Sequence, residues 1–175
     1  SGSRDGEGVP RRTQRLIENG RLVKTLWSTR DSAQQVAEGR IAAASSTGSA
    51  VNGSHQTPPS TGCTELFLTS SRKGKSWDDL LQQMGDGYVV NGVIGAHTAN
   101  PSSGDFSVTT SSILKVEGGE IIGPLKQAGL SGNLARSLCE SVELGDDVRR
   151  QGSYSSGSMH LPDVLLSNGL RINPA

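Results

Sequence analysis

The sequence predicts an α+β fold: a largely antiparallel curled sheet or barrel, built from hairpins and accompanied by about three short helices. Two similar phrases carry this prediction, QRLIENGRLVKTLW at residues 14–27 and SSILKVEGGEIIGPLK at residues 111–126. Asn-Gly and Gly-Gly accept positive φ at both central turn positions, so each phrase predicts a β-hairpin. Helical patterns are short and do not alternate regularly with strands, which favours antiparallel pairing.

The turn positions also predict the register of both hairpins. Ile17 should oppose Leu22, and Val116 should oppose Ile121. Cross-strand neighbours share a face, so each hairpin is expected to turn one apolar face toward a common core.

Capping and hydrophobic spacing predict the three helices. The first begins among Thr29–Ser32, has Ala33, Val36 and Ala37 on one face, and ends at Gly39. The second begins at Ser76, carries Leu80, Leu81 and Met84, and ends at Gly85. The third comes after residues 131–133, places Leu134, Leu138, Cys139 and Val142 on one face, and ends at Gly145.

The remaining segments predict strands and loops within one domain. Strands are predicted at residues 64–69, 88–94 and 107–116, and again in the tail around MHLPDVLL. The second is interrupted at Asn91-Gly92 by either a bulge or a tight turn. Residues 40–62 are small, polar and rich in Gly and Pro, which predicts a long surface loop. We expect residues 1–175 to form a single domain, with residues 1–4 a linker or a cloning remnant.

Charge and composition disfavour several function classes. Seventeen Lys+Arg balance 17 Asp+Glu, and 3% aromatic residues offer few stacking surfaces, so nucleic-acid binding is disfavoured. No apolar run reaches the roughly 20 residues of a membrane span. Two distant cysteines without CxxC spacing make a disulfide framework improbable, and we expect a cytoplasmic protein with no membrane or nucleic-acid partner.

Metal-binding and catalytic patterns are weak. A zinc site needs converging ligands, and the weak candidates are His55, Cys63, His97 and His160. The favoured interpretations are a polar loop histidine for His55, a strand cysteine for Cys63, a surface or hydrogen-bonded His97 and an outward-facing strand His160. We therefore predict no catalytic, cofactor-binding or metal-binding residue in this chain.

Other chemically interesting residues have structural explanations. Cys139 is expected to be an inert buried thiol, because it lies on the predicted core face of a helix. Asp78-Asp79 suits a helix N-terminus, and Asp146-Asp147 is expected to come after a helix end. The loop from His97 to Phe106, with Asn100 and Asp105, interrupts strands and is the candidate cleft loop; holding the turn is the favoured role of Asp105 and Phe106.

Several segments taken in order resemble one family. They are EGVPRRTQRLIENGRL, SWDDLLQQMGDGYVVNGVIGAHTANPSSGDFSV, LKVEGGEIIGPLKQAGLSGNL, ESVELGDD and GSMHLPDVLL. Together they resemble the C-terminal domain of the TldD/PmbA metallopeptidase family over residues 5–170. The loop at residues 40–62 carries the least of the resemblance.

The resemblance implies a role in a zinc metallopeptidase complex that degrades or matures peptides. TldD-type chains carry HExxxH and a zinc cysteine near the C-terminus; PmbA-type chains, also called TldE, lack the site. This chain has no HExxxH, and VRRQGSYSSGS stands without a cysteine where the zinc cysteine is expected. The resemblance therefore implies a non-catalytic PmbA (TldE) type, with no cofactor of its own, a zinc-containing TldD-type partner, and a peptide or unfolded polypeptide as substrate.

Other interpretations remain open at this point. The chain is alternatively the C-terminal part of an active zinc peptidase whose HExxxH half is missing, or a free-standing β-rich interaction domain; a homodimer is also compatible. The family's older link to DNA gyrase modulation is opposed by the neutral charge. As an architectural hypothesis, the two hairpins would close one sheet around an aliphatic core, and free sheet edges would add a peptide as an extra strand.

Overall fold

The computed structural model describes residues 2–52, 54–70, 72–139, 142–153 and 157–174. The chain forms two compact units, one comprising Ser1–Leu68 and Arg150–Leu161, the other Thr69–Arg149 and Pro162–Ala175. Three helices and mostly antiparallel strands confirm the predicted α+β class. None of the helices in the described ranges is long and apolar enough to cross a membrane.

Short elements make up the first unit. They are β1 (Ile17–Glu18), β2 (Arg21–Leu22), α1 (Thr29–Ala37), β3 (Ala50–Val51), β4 (Ser60–Thr61) and β5 (Glu65–Phe67). Strands β1 and β2 form one antiparallel pair, and β3 and β4 form another.

Longer strands dominate the second unit. Its elements are α2 (Trp77–Met84), β6 (Gly87–Ile94), β7 (Asp105–Glu117), β8 (Glu120–Pro124), β9 (Ala128–Asn133), α3 (Leu134–Cys139) and β12 (Leu170–Pro174). Strands β10 (Val142–Ser153) and β11 (Gly157–Leu166) have residues in both units. Strand β11 pairs in parallel with β5, the exception to the antiparallel pattern among the strand pairs described.

The first hairpin has the predicted turn and register but not the predicted burial. Asn19 has φ 50 and Gly20 φ 75, and Ile17 pairs with Leu22. The side chains are exposed, however, Ile17 by 64% and Leu22 by 67%, so the expectation of a core face is wrong here. These two strands form a separate two-stranded sheet, so the hypothesis of one sheet closed by both hairpins is also wrong.

A buried carboxylate organises the first unit. Asp5 is 8% exposed; its Oδ1 accepts hydrogen bonds from the backbone N–H of Glu7 (2.9 Å) and Val9 (2.8 Å), and its Oδ2 accepts from Ala50 (3.0 Å). Burial by itself raises the pKa of Asp5, but the three backbone donors outweigh it and lower that pKa below its ordinary value. The carboxylate thus fastens the amino-terminal loop to β3.

Strands β3 and β4 correct the prediction of a long loop over residues 40–62. This segment contains a small antiparallel pair in which Ala50 faces Thr61. Ala50 is fully buried, and its backbone N–H donates to Asp5 Oδ2 at 3.0 Å. The low hydrophobicity of the segment concealed these short strands.

Helix α1 exists as predicted, although its cap and its buried face differ. Ser28, one residue before the predicted range, is the N-cap and accepts from Asp31 N at 3.0 Å. Ser32 is fully buried, whereas the predicted apolar face of Ala33, Val36 and Ala37 is not. Ser32 can be buried because its Oγ donates a hydrogen bond to Thr29 O at 2.9 Å, so the buried hydroxyl has a partner.

Strand β7 is the centre of the second unit. Its first residues pair with β9, its last with β8, and β6 runs along its other side. Register shifts in β6 lie between Val90, Gly92 and Val93, which confirms the predicted interruption as a β-bulge. Val108, Ile113 and Val116 are buried along β7.

The second hairpin and helix α2 match the sequence predictions closely. Val116 pairs with Ile121 across a turn with positive φ at both glycines, yet only Val116 is buried; Ile121 is 42% exposed. Helix α2 begins at a capping box in which Ser76 and Asp79 exchange hydrogen bonds. Leu80 and Leu81 are buried, and Gly85 ends the helix with φ 65.

The third helix departs most from its prediction. Helix α3 ends at Cys139, and Val142 already belongs to strand β10, so the predicted end at Gly145 is wrong. Ser137 is buried, while Leu134 and Leu138 are about half exposed and Cys139 is an exposed thiol, not a buried one. Asp146 and Asp147 lie within β10 and not after a helix end.

We expect Asp5→Asn to destabilise the protein by about 2 kcal/mol at neutral pH, since an amide directed at Ala50 N–H leaves a buried donor unpaired. Urea denaturation would measure this. Because the folded pKa of Asp5 is lowered, its stabilisation is present above the ordinary pKa and is lost as pH falls through the folded pKa.

The gap between wild type and Asp5→Asn should therefore shrink below about pH 4, the ordinary carboxyl range. Glu65→Gln is the matched control, because Glu65 is exposed on β5 and its side chain makes no hydrogen bond within the described residues. A gap that stays constant into acid would contradict the proposed role of the carboxylate.

Candidate functional site

The loop of residues 97–106 forms a compact turn. His97 lies exposed in a 3-10 turn spanning Ala96–Thr98. Asn100 organises the turn after it: its Oδ1 accepts from Ser102 N at 2.9 Å and Ser103 N at 3.1 Å, and its backbone N–H donates to Asp105 O at 2.9 Å. An Asx-type turn of this kind is a self-contained local structure.

Asp105 connects this turn to the start of α3 through Asn133. Asn133 Nδ2 donates to Asp105 Oδ1 at 2.7 Å and to Ser103 O at 2.8 Å, while its Oδ1 accepts from Arg136 N at 2.9 Å. The hydrogen bond from Asn133 lowers the pKa of Asp105, and Ser103 adds to the effect. Phe106 pairs with Gly132 in the β7–β9 ladder and is half-buried. The geometry favours a structural role for Asp105 and Phe106.

The histidines and cysteines take separate positions. His55 is exposed in the turn between β3 and β4, and Cys63 is exposed between β4 and β5 rather than in a strand. His97 belongs to the second unit, whereas His55, Cys63 and His160 belong to the first.

His160 is the least ordinary of these residues. Its ring stacks on Phe67 with 4.2 Å between ring centroids and 15° between planes. Its Nε2 is buried without a hydrogen-bond partner among the described residues, so the prediction of an outward-facing histidine is wrong. The stacked pair contributes apolar contact between β5 and β11, while the buried Nε2 keeps the cost of an unpaired polar atom.

Each of the two units has a surface depression. One, in the second unit, has a volume of about 520 Å³ and is lined by Asp86, Gly87, Tyr88, Lys115, Val116 and Glu117. The other, of about 670 Å³, lies wholly in the first unit, and we call it the Arg12–Lys24 depression. The predicted cleft loop lines neither of these two depressions.

Sequence reasoning missed the Arg12–Lys24 depression. It is formed by the stretches 9–14, 23–27 and 41–47, in which helix and strand are scarce. Segments without hydrophobic periodicity give no signal of where they meet.

Strand β5 offers an exposed apolar edge in the first unit. It is the last strand in the order β10-β11-β5, and Leu66 and Phe67 are 38% and 56% exposed on its opposite faces. Strand β6 is interrupted by a bulge, and β12 carries Arg171 and Pro174, which are features that protect edges. Strand β5 has no bulge and no proline, although it is short and carries the exposed Glu65, so its apolar side chains leave an edge at which another strand could pair.

The sequence of this chain matches the model of one protein family. The sequence model described as the PmbA/TldA metallopeptidase C-terminal domain matches residues 1–170. The chain belongs to this family. The predicted resemblance is thereby confirmed over almost the whole sequence.

Individual members of the PmbA/TldA family align over most of the chain. The protein MJ0231 of Methanocaldococcus jannaschii is 33% identical over 156 residues, covering 89% of this chain and 33% of MJ0231. The Metalloprotease PmbA homolog of Haemophilus influenzae is 29% identical over 163 residues, covering 93% of this chain and 32% of the homolog.

A crystal structure of TldE from Thermococcus kodakarensis has the same fold. It superposes with a TM-score of 0.79 and 26% identity, covering 98% of this chain and 36% of the TldE chain. This PmbA/TldA domain thus spans about a third of the length of the relatives it matches.

The family name implies a metal ion, and a zinc site in particular needs three or four converging protein ligands. Over the described residues, no three His, Cys, Asp or Glu side chains lie close enough together to hold a metal ion. The weak candidates His55, Cys63, His97 and His160 therefore do not fit a zinc site in this PmbA/TldA domain.

We expect Asp105→Asn to lower the urea midpoint of the PmbA/TldA domain while leaving assembly with other subunits unchanged, because Asp105 secures a turn through Asn133. Glu120→Gln is the matched control, since the exposed Glu120 side chain makes no ion pair or hydrogen bond within the described residues. Unaltered stability together with lost assembly would instead assign the loop a direct functional role.

Proposed function

We propose that this domain is the non-catalytic, PmbA (TldE)-type part of a TldD/TldE zinc metallopeptidase complex that degrades or matures peptides. It supplies scaffold, a polypeptide-binding surface and a docking surface for a TldD-type subunit. The observation that carries the proposal is the likeness to TldE from Thermococcus kodakarensis, which extends over 98% of the chain.

The tail of the chain supports the same assignment. TldD-type chains carry their zinc cysteine in the segment that here reads VRRQGSYSSGS, which contains no cysteine. Cys63 and Cys139 lie elsewhere in the sequence. In this proposal zinc belongs to the partner subunit, where peptide cleavage takes place.

The exposed surface supports binding of another polypeptide. Strand β5 presents Leu66 and Phe67 at a sheet edge, and Leu68 beside them is 36% exposed. Strand addition at such an edge gains main-chain hydrogen bonds with little demand on sequence. Two exposed free thiols support a reducing compartment, and we place the protein in the cytoplasm.

Elemental mass spectrometry and light scattering test the proposal together. The chain is dialysed against dilute zinc and then buffer, and zinc per chain is measured before and after mixing with a zinc-loaded TldD-type subunit. We expect a ratio near zero for the chain alone, a complex of defined mass on mixing, and peptide cleavage only in samples that contain the TldD-type subunit.

Two outcomes would change the assignment. A zinc ratio near one for the chain alone would favour the alternative of an active peptidase part, and His55, Cys63, His97 and His160 would be substituted first. A chain that stays separate from every TldD-type subunit tested would favour a free-standing interaction domain.

A further inference from the structure

The Arg12–Lys24 depression combines apolar walls with positive charge. Its volume is about 670 Å³, and Trp27 and Ile41 in its lining are half-buried. Val9, Pro10, Val23 and Ala43 add further apolar surface. Concave surfaces with this mixture of apolar area and a few polar groups are typical binding sites.

The charged side chains that line the depression are both positive. Arg12 and Lys24 are both exposed, and neither makes an ion pair with a described residue. Among the described residues, no Asp or Glu lines the depression. A carboxylate does approach the lining at Ser46, whose Oγ lies 3.4 Å from Glu7 Oε2.

The Glu7 carboxylate is already engaged elsewhere. Its Oε2 accepts from both the backbone N–H and the hydroxyl of Thr29, each at 2.8 Å, at the first turn of α1. Within the described part of the chain, the two cations therefore remain without a matching anion. A ligand that supplies the anion would complement this charge.

The backbone around the depression has unused hydrogen-bonding groups. Within the described residues, the N–H groups of Arg12, Thr13 and Thr25 donate to no protein acceptor. These residues lie outside any helix or strand. An extended peptide has the regularly spaced carbonyl groups that such donors can pair with.

We propose that the Arg12–Lys24 depression binds an extended peptide segment carrying a carboxylate side chain, with its apolar neighbours against Trp27 and Ile41. The inference rests on the proposed function, since it names the class of polypeptide the domain would hold. Arg12 and Lys24 select the carboxylate, and the apolar lining provides contact area.

Tryptophan fluorescence tests the site directly. The sequence has two tryptophans, so Trp77→Phe, in the other unit, leaves Trp27 as the single reporter. The probe is a terminally blocked peptide of about ten residues with alternating Val and Thr and one central Glu, long enough for strand-like contact. The comparison peptide has Gln in place of Glu.

We expect the Glu peptide to shift Trp27 emission and to bind about tenfold more tightly than the Gln peptide at low salt, the preference falling as salt screens the charges. Arg12→Gln and Lys24→Gln should each weaken the Glu peptide by about three- to fivefold. Arg21→Gln is the matched control, because exposed Arg21 lies in β2 outside the lining and makes no ion pair with a described residue. Circular dichroism checks that each variant is folded.

Several results would overturn the inference. These are no binding of either peptide, equal affinity for the Glu and Gln peptides, equal weakening by Arg21→Gln, or binding that leaves Trp27 emission unchanged. Tighter binding of an oligonucleotide than of the Glu peptide would also reject it. If the chain prefers the Glu peptide but forms no complex with a TldD-type subunit, the binding site is retained and the proposed function is rejected. If the chain forms the complex but shows no preference for the Glu peptide, the proposed function is retained and the binding site is rejected.

Discussion

The hydrogen-bonded ladder of strand β7 is the constraint on which the second unit depends. Its 13 residues, Asp105–Glu117, pair with β6 on one side and with β9 and β8 in succession on the other. Val108, Ile113 and Val116 are buried along this strand, at odd spacings that accompany the register shifts against its neighbours. Helix α2 buries Leu80 and Leu81, and the Asn133 contacts fix where β7 begins. A single long strand thus sets the register for its neighbours.

The first unit is stabilised differently. Among its described residues, Ala50 is the buried hydrophobic residue, while the buried polar residues are Asp5, Ser28, Ser32, Ser49 and Ser158. Their hydrogen bonds stabilise this unit as apolar burial stabilises the second, and each is costly to leave unsatisfied. Exposed Ile17 and Leu22 and the β5 edge are consequences of so small an apolar core. Exposed apolar side chains that lie close together are typical of binding surfaces.

Local rules predicted the features that local interactions determine. Positive φ at Asn19-Gly20 and the Ser76–Asp79 capping box are decided within a few residues, so both were predictable. Burial was less predictable, because it depends on which other segments pack against a side chain. Ile17 has the sequence pattern of a core residue, but its side chain is exposed. The spacing of Leu134 and Leu138 suggested a longer helix, yet the chain enters strand β10 by Val142. The Arg12–Lys24 depression arises where aperiodic stretches meet, and sequence alone does not indicate such meetings.

The two cysteines have a practical consequence. Cys63 belongs to the first unit and Cys139 to the second, and both thiols are free and exposed. Thiol-directed reagents act on the accessible thiolate, so each unit carries its own natural attachment point. A donor dye on one cysteine and an acceptor dye on the other allow the distance between the two labelled thiols to be measured without adding a cysteine. Energy transfer between them would report the spacing of the units in solution and any change of that spacing when a second protein binds.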